Sequence, residues 1–198
     1  MASEASICNR ALLRIGVSAT IDYLDSPTNE ARACKVLYAD TRDAILQSLP
    51  WPFASQRAAL AELPGGGRAG FARAFALPAD CLHAQEVWCG TRNPTRAQRI
   101  PFALEADASG QVLLCDLDAP ELLYTARVTN PGRFPPLFVD ALAWNLAADL
   151  AIGLGLEESI AIRARGQYEL VWSRAAAQAL AQRQADPEPV SEFLSARW

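Results

Sequence analysis

The stretch "LPWPFASQRAALA", residues 49–61, decides the fold because a long helical pattern stops within it. Pro50 lacks the backbone N–H that would continue a helix, and Pro52 restricts Trp51 to extended backbone. Trp51 and Phe53 are large enough to bury this point of the chain against another element. We therefore predict a stiff structural corner, with helix before it and short strands after it, formed by Pro50, Trp51, Pro52 and Phe53.

Two helices are predicted before this corner. The first covers residues 3–15, with Ser3 as its N-cap and Gly16 closing it. The second begins at "SPTNE", with Ser26 as its N-cap, and keeps an apolar face as far as Leu49. Both helices are amphipathic, so each is expected to pack one face against other parts of the chain.

The pattern after the corner is typical of strands. From about residue 70 to residue 129, alternating apolar residues are separated by turn signals. The predicted strands are residues 71–78, 83–89, 98–106, 111–117 and 122–129. The proline-rich segment "NPGRFPP", residues 130–136, closes this region.

Helical periodicity then returns in two further segments. The third predicted helix, residues 135–153, is apolar on nearly every side, which indicates burial on most sides. The fourth covers residues 157–184 and opens with two glutamates. A polar, proline-containing segment follows and ends in large apolar residues.

The order of these elements predicts an α+β protein that is mainly an antiparallel helical bundle. About four helices form the bundle, from residues 1–53 and 131–184. Residues 54–130 are predicted to be a β-rich insertion between the second and third helices. Residues 185–198 are predicted to be an extended C-terminal tail that docks on a partner, because large rigid side chains supply most interface energy.

Composition excludes several classes of function. The chain has 198 residues, is 51% hydrophobic and carries a net charge of −4, so no basic field indicates a nucleic-acid partner. Its five cysteines include no C-x-x-C pair, and reduced thiols are typical of a protein made in the cytoplasm. No signal peptide is visible, and the longest apolar stretch, residues 141–156, is too short to span a bilayer.

No pattern of residues predicts a catalytic centre. His83 is the only histidine, and Asp80 and Glu86 lie within three residues of it, but no nucleophile elbow such as G-x-S-x-G is present. Asp116 and Asp118 stand before Pro120, where aspartate commonly starts a turn. We therefore predict no catalytic residue, no metal site and no cofactor.

Asn145 and Asp149 are the unusual polar residues of the third helix, one turn apart on an otherwise apolar segment. Two interpretations stay open for them. They form a buried polar contact that fixes helix pairing within the chain, or they contact another subunit.

Several stretches together resemble the head-to-tail adaptor family of short-tailed phages and prophages, which includes tail tubular protein A. They are "ICNRALLRIG" (7–16), "EARACKVLYADTRDAILQSLPWPFASQRAALA" (30–61), "FALPADCL" (75–82) and "LAWNLAADLA" (142–151). The most specific part is W-x-F-A followed by Leu-Pro-x-Asp-Cys. The closing "SEFLSARW" (191–198) is also similar to C-termini of that family.

The resemblance implies a structural role in the virion, at the junction of head and tail. Family members form a dodecameric ring between the portal protein and the tail nozzle protein, and the ring leaves a channel through which DNA is ejected. For this chain it implies portal contact by the tail residues Phe193, Leu194, Arg197 and Trp198. It also implies ring contacts by residues of the second and third helices, for which the candidates are Tyr38, Trp144, Asn145 and Asp149. The negative charge agrees with a channel that passes DNA without specific binding.

Two other classes of function remain as alternatives. A tail-associated cell-wall hydrolase would require two carboxylates held at a suitable distance in a cleft. A small cytoplasmic helical regulator that binds nucleic acid would require a basic helix face and salt-dependent binding.

Overall fold

The computed structural model describes residues 2–90, 98–107 and 110–182. The helices of this part are α1 (Glu4–Arg14), α2 (Asn29–Gln47), α3 (Pro136–Gly153) and α4 (Glu158–Ala181). Its strands are β1 (Ser55–Ala59), β2 (Arg73–Ala76), β3 (Cys81–Trp88), β4 (Ala103–Asp107), β5 (Gly110–Cys115) and β6 (Glu121–Ala126).

Hydroxyl side chains begin the first two helices. Ser3 is the N-cap of α1 and forms a reciprocal capping box with Ser6, which confirms the predicted start. The N-cap of α2 is Thr28, whose hydroxyl accepts a hydrogen bond from the Ala31 backbone at 3.2 Å. The prediction of Ser26 as this cap is wrong, because the Ser26 hydroxyl instead accepts from the Tyr23 backbone in the preceding turn.

Helix α3 is the centre of the helical part, since α1, α2 and α4 each pack against it. Its predicted burial is confirmed by Phe138, Leu142, Leu146 and Leu150, which are fully inaccessible. By length and composition α3 would also suffice to cross a membrane, but 61% of it is buried inside the fold, as in the core helix of a globular protein.

The strands form two three-stranded antiparallel sheets. One has the order β1-β6-β3 and the other β2-β5-β4. Side chains from both sheets meet in one hydrophobic cluster, with Val87 and Leu122 from the first sheet and Phe75 and Leu113 from the second. The two sheets therefore pack face to face around an apolar interior of their own.

The predicted fold class is wrong beyond the coarse description α+β. The molecule is not mainly a helical bundle that carries a β-rich insertion: four helices and two three-stranded antiparallel sheets stand side by side as comparable parts. The physical reason is that the sheets bury their own core, while the other helices each use α3 as their main support. Periodicity predicts the elements but not which of them share a core.

The strand β1 was also missed from the sequence. Its alanine-rich segment Ser55–Ala59 becomes a strand by pairing with β6, where Ser55 lies opposite Thr125 and Ala59 opposite Glu121. This pairing joins residues far apart in the chain. Tertiary context therefore decides the conformation of a segment whose local preference is helical.

A shared carboxylate connects the helical part to the first sheet. Asp43 on α2 accepts a hydrogen bond from Arg42 Nε at 2.8 Å and another from Arg127 Nε at 2.7 Å. Arg127 directly follows β6, so this group anchors the end of that strand on α2. The two parts of the molecule are thus held together by polar contacts as well as by apolar packing.

Candidate interaction surfaces

The predicted corner is an aromatic cluster. The Trp51 indole N–H donates to the Ile45 carbonyl at 2.8 Å, and its ring meets the edge of Phe138 at a centroid distance of 5.2 Å. Phe53 lies 5.0 Å from Phe138 and 6.0 Å from Phe134. Edge-to-face contacts of this kind stabilise beyond simple area burial. The corner therefore joins the end of α2 to the start of α3.

A small apolar groove lies between this corner and the end of α4. It is lined by Trp51, Pro52, Phe53, Pro135, Leu137, Phe138, Ala175, Gln178, Ala179 and Gln182. Gln182 is also the last residue of the C-terminal part that the structure describes. The predicted portal-binding residues Phe193, Leu194, Arg197 and Trp198 lie outside the described residues.

Tyr38, a predicted ring-contact residue, lies in the core of the helical part. It is only 2% exposed, and its hydroxyl has no hydrogen-bond partner among the described residues. Burial raises the pKa of Tyr38 well above its ordinary value, with the nearby Glu4 adding to the effect. A side chain in this position supports helix packing within the chain.

Trp144, the second predicted contact, is half-buried where α1 meets α3. The Arg14 guanidinium lies over its ring, 4.1 Å from the centroid. Arg14 also donates to the Asp140 backbone carbonyl at 3.0 Å and pairs with the Asp140 carboxylate. Partial burial lowers the pKa of Arg14 from its usual value, although Asp140 opposes the shift. Trp144 is thus engaged within the chain.

Asn145 and Asp149 come together on one arginine. Arg165 of α4 donates to the amide oxygen of Asn145 and, at 2.8 Å, to the carboxylate of Asp149. Asn145 is buried, with 8% of its surface exposed, so its oxygen needs such a partner. Of the two interpretations given by the sequence, the described contacts correspond to polar fixing of helix pairing within the chain.

An exposed apolar surface lies on α4 and was not predicted. Ile162, Leu170 and Leu180 are 65%, 56% and 51% exposed, and all lie on the face of α4 that points away from α3. The sequence gives only a weak signal of this surface, because Ile162 and Leu170 are eight residues apart and Leu170 and Leu180 ten, so successive members lie about 80° apart around the helix. Leu13 on α1 and Val36 on α2 are also strongly exposed.

His83, Asp116 and Asp118 are the residues that the sequence offers as candidates for catalysis, and both aspartates have structural partners. His83 is exposed on β3. The Asp116 carboxylate accepts from the Ala72 backbone at 2.8 Å, and Asp118 pairs with Arg73. Both aspartates therefore attach the start of β2 to the end of β5.

The cysteines are free thiols in this structure, and Cys8, Cys34 and Cys115 are buried. A hydrogen bond with Cys34, together with burial, raises the pKa of Cys8 far above its ordinary value, so this thiol stays protonated at neutral pH. Within the part of the chain described, no group of three or more His, Cys, Asp or Glu residues is arranged to hold a metal ion.

Comparison with known proteins gives no assignment. No protein-family model matches this chain, and no curated protein is similar enough to count as a match.

Proposed function

We propose that this chain is a structural head-to-tail adaptor of a phage or prophage virion. In this role, copies assemble into a ring between the portal and the tail nozzle and surround the channel for DNA ejection. The observation that carries the proposal is the apolar outer face of α4, with Ile162, Leu170 and Leu180 more than half exposed. Apolar side chains exposed along one helix are typical of a surface that a partner covers.

Three further features support this function. The motifs around the aromatic corner resemble those of the adaptor family, and the corner is a well-packed cluster in the structure. The C-terminal segment carries the large apolar residues Phe193, Leu194 and Trp198, and the end of α4 that precedes it in the sequence lines an apolar groove. The net charge of −4 per copy gives a ring that does not attract the phosphate backbone.

In this proposal the C-terminal segment contacts the portal and the two sheets face the tail nozzle. The protein has no catalytic step, and DNA passes through the channel without specific binding. The chain is made in the host cytoplasm and acts in the virion, at the junction of head and tail.

Removal of the C-terminal segment tests the proposal. A chain that ends at Gln184 should keep the melting temperature of the full chain, because α4 ends at Ala181. It should lose binding to its portal protein, measured by co-sedimentation. A matched full-length variant, Phe193→Ala/Leu194→Ala/Trp198→Ala, should show the same loss. Undiminished portal binding by both variants, or no binding by the full chain, would contradict the proposal.

A further inference from the structure

Helix α4 has two faces of different character. One face packs against α3 through Ala161, Ala164, Val171 and Ala175, all of them buried. The opposite face carries a stripe of apolar and small residues along the whole helix. This outer stripe consists of Ser159, Ile162, Gly166, Leu170, Ser173, Ala177 and Leu180, and all seven are exposed.

Charged residues of opposite sign border the outer stripe. At 3.6 residues per turn, Glu158 and Glu169 lie about 70° to one side of its centre, and Arg163 and Arg174 lie about 70° to the other side. All four side chains are exposed. Other arginines of the chain, such as Arg165 and Arg14, are in ion pairs, but these four charges form none with the described residues.

The spacing of these charges is regular. Glu158 precedes Arg163 by five positions, Glu169 precedes Arg174 by five, and the second pair follows the first by eleven. When two parallel helices pack together, the line along which they touch is their seam. A residue on one border of this seam reaches the residue five positions further on in the partner helix. A repeat of eleven residues keeps such a seam aligned along nearly straight helices.

We propose that the outer face of α4 binds α4 of a second copy of this chain, parallel and in register. In this contact Glu158 and Glu169 of each copy pair with Arg163 and Arg174 of the other. Ile162, Leu170 and Leu180 are covered at the seam. Gly166, Ser173 and Ala177 allow the two backbones to approach closely.

Charge complementarity decides the direction of the helices. A symmetric antiparallel pair keeps each border on its own side, so that glutamates would face glutamates and arginines would face arginines. A parallel pair brings the acidic border of one helix against the basic border of the other, which is favourable. Parallel α4 helices also orient all copies the same way along one axis. The contact rests on the same face of α4 that supports the proposed function, but it involves neither the portal nor the nozzle.

Charge reversal tests the contact directly. The variant Glu158→Arg/Glu169→Arg has two basic borders, and Arg163→Glu/Arg174→Glu has two acidic borders. Each alone should associate at least about tenfold more weakly than the wild-type chain, because like charges meet at the seam. An equimolar mixture should recover association, since basic borders then meet acidic ones. The control Arg32→Glu/Asp40→Arg, at exposed residues of α2, should associate like wild type.

Association is measured by sedimentation velocity, alone and with the portal protein, and folding by the melting temperature of each variant. The contact is overturned if either charge-reversal variant is folded and associates as strongly as the wild-type chain. It is also overturned if the equimolar mixture of the two variants does not recover association. A wild-type chain that stays monomeric in both conditions would overturn it as well.

Cross-linking separates this inference from the proposed function. The variant Glu169→Cys/Arg174→Cys, treated with a short bis-maleimide, should give products absent from the treated wild-type chain. Both copies use the same face of α4, so the contact closes at two copies and the additional products should be dimers. A ring requires a further interface, which imaging of the chain with its portal protein detects, so either claim can fail without the other. A pattern identical to that of the wild-type chain overturns the contact.

Discussion

At the scale of single residues, Arg165 is the clearest link between a sequence pattern and a contact. It joins α4 to α3 through Asn145 and Asp149. Arg165→Met should lower the free energy of unfolding by about 1 kcal/mol, because the buried Asn145 oxygen loses its partner while the exposed ion pair contributes little. Urea denaturation measures the change.

The matched control is Arg32→Met, at an arginine of α2 that is exposed without an ion pair among the described residues. Its effect on the free energy of unfolding should stay within about 0.5 kcal/mol. Equal effects at both positions would show that Arg165 is an ordinary surface arginine.

Tyr124 gives a prediction about alkaline pH. Burial, with the adjacent Asp80 carboxylate, raises the pKa of Tyr124 from 10.0 to about 12. Between these values the unfolded chain releases a proton that the folded chain keeps, so stability is present below pH 10 and is lost as pH rises from 10 towards 12. The loss from this group is at most about 1.4 kcal/mol per pH unit.

Denaturation at several pH values checks this effect. Tyr124→Phe should make the fall in stability between pH 10 and pH 12 shallower, whereas Tyr23→Phe, at a tyrosine that is 75% exposed, should leave it unchanged. If stability falls equally steeply with pH in both variants, the loss does not come from Tyr124.

Single residues were predicted well where local chemistry decides and poorly where burial decides. Ser3 was identified as a cap because its function needs only the adjacent backbone. Tyr38 was expected at a ring contact, yet it is buried, because an aromatic residue on an amphipathic helix is equally suited to a core. Its position depends on how α2 packs against the rest of the fold, which the residue alone does not specify.

At the scale of elements, the aromatic corner between α2 and β1 is expected to dominate stability. Trp51 is 2% exposed and is held by both its ring contacts and its indole hydrogen bond. Trp51→Ala should cost about 3–5 kcal/mol of unfolding free energy, as for other large core aromatics. Urea denaturation followed by circular dichroism measures the cost.

Two further variants separate the contribution of the Trp51 hydrogen bond and that of Pro52 from the contribution of the aromatic packing. Trp51→Phe keeps an aromatic ring but loses the bond to the Ile45 carbonyl, so it should cost less than Trp51→Ala. Pro52→Ala, at an exposed position, should change stability by less than about 1 kcal/mol. A Trp51→Ala cost no larger than that of Pro52→Ala would show that the corner is not a stabilising cluster.

The helices were easier to predict than the strands. α3 was located within one residue at its start, because a continuous apolar segment between prolines and glycines has few alternatives. β1 was missed because alanine favours helix, and only pairing with β6 makes this segment a strand. The outer stripe of α4 was not predicted, because small and polar residues separate Ile162, Leu170 and Leu180, and the charges beside them are typical of a solvated face.

At the scale of the whole molecule, the sequence predicted an α+β protein, but the predicted architecture made too much of the fold a helical bundle. The alternating strands were interpreted as an appendage of a helical bundle. In the structure they form two sheets that share an interior around Phe75 and Leu122, attached to α2 through Asp43. Which residues close such an interior depends on contacts between strands far apart in the chain, and alternation by itself does not specify them.

Imaging of the chain together with its portal protein, by single-particle electron microscopy, tests the central claim most directly. The account predicts a closed ring of identical copies, coaxial with the portal and open along its axis. Unassociated single copies beside an unchanged portal would contradict it.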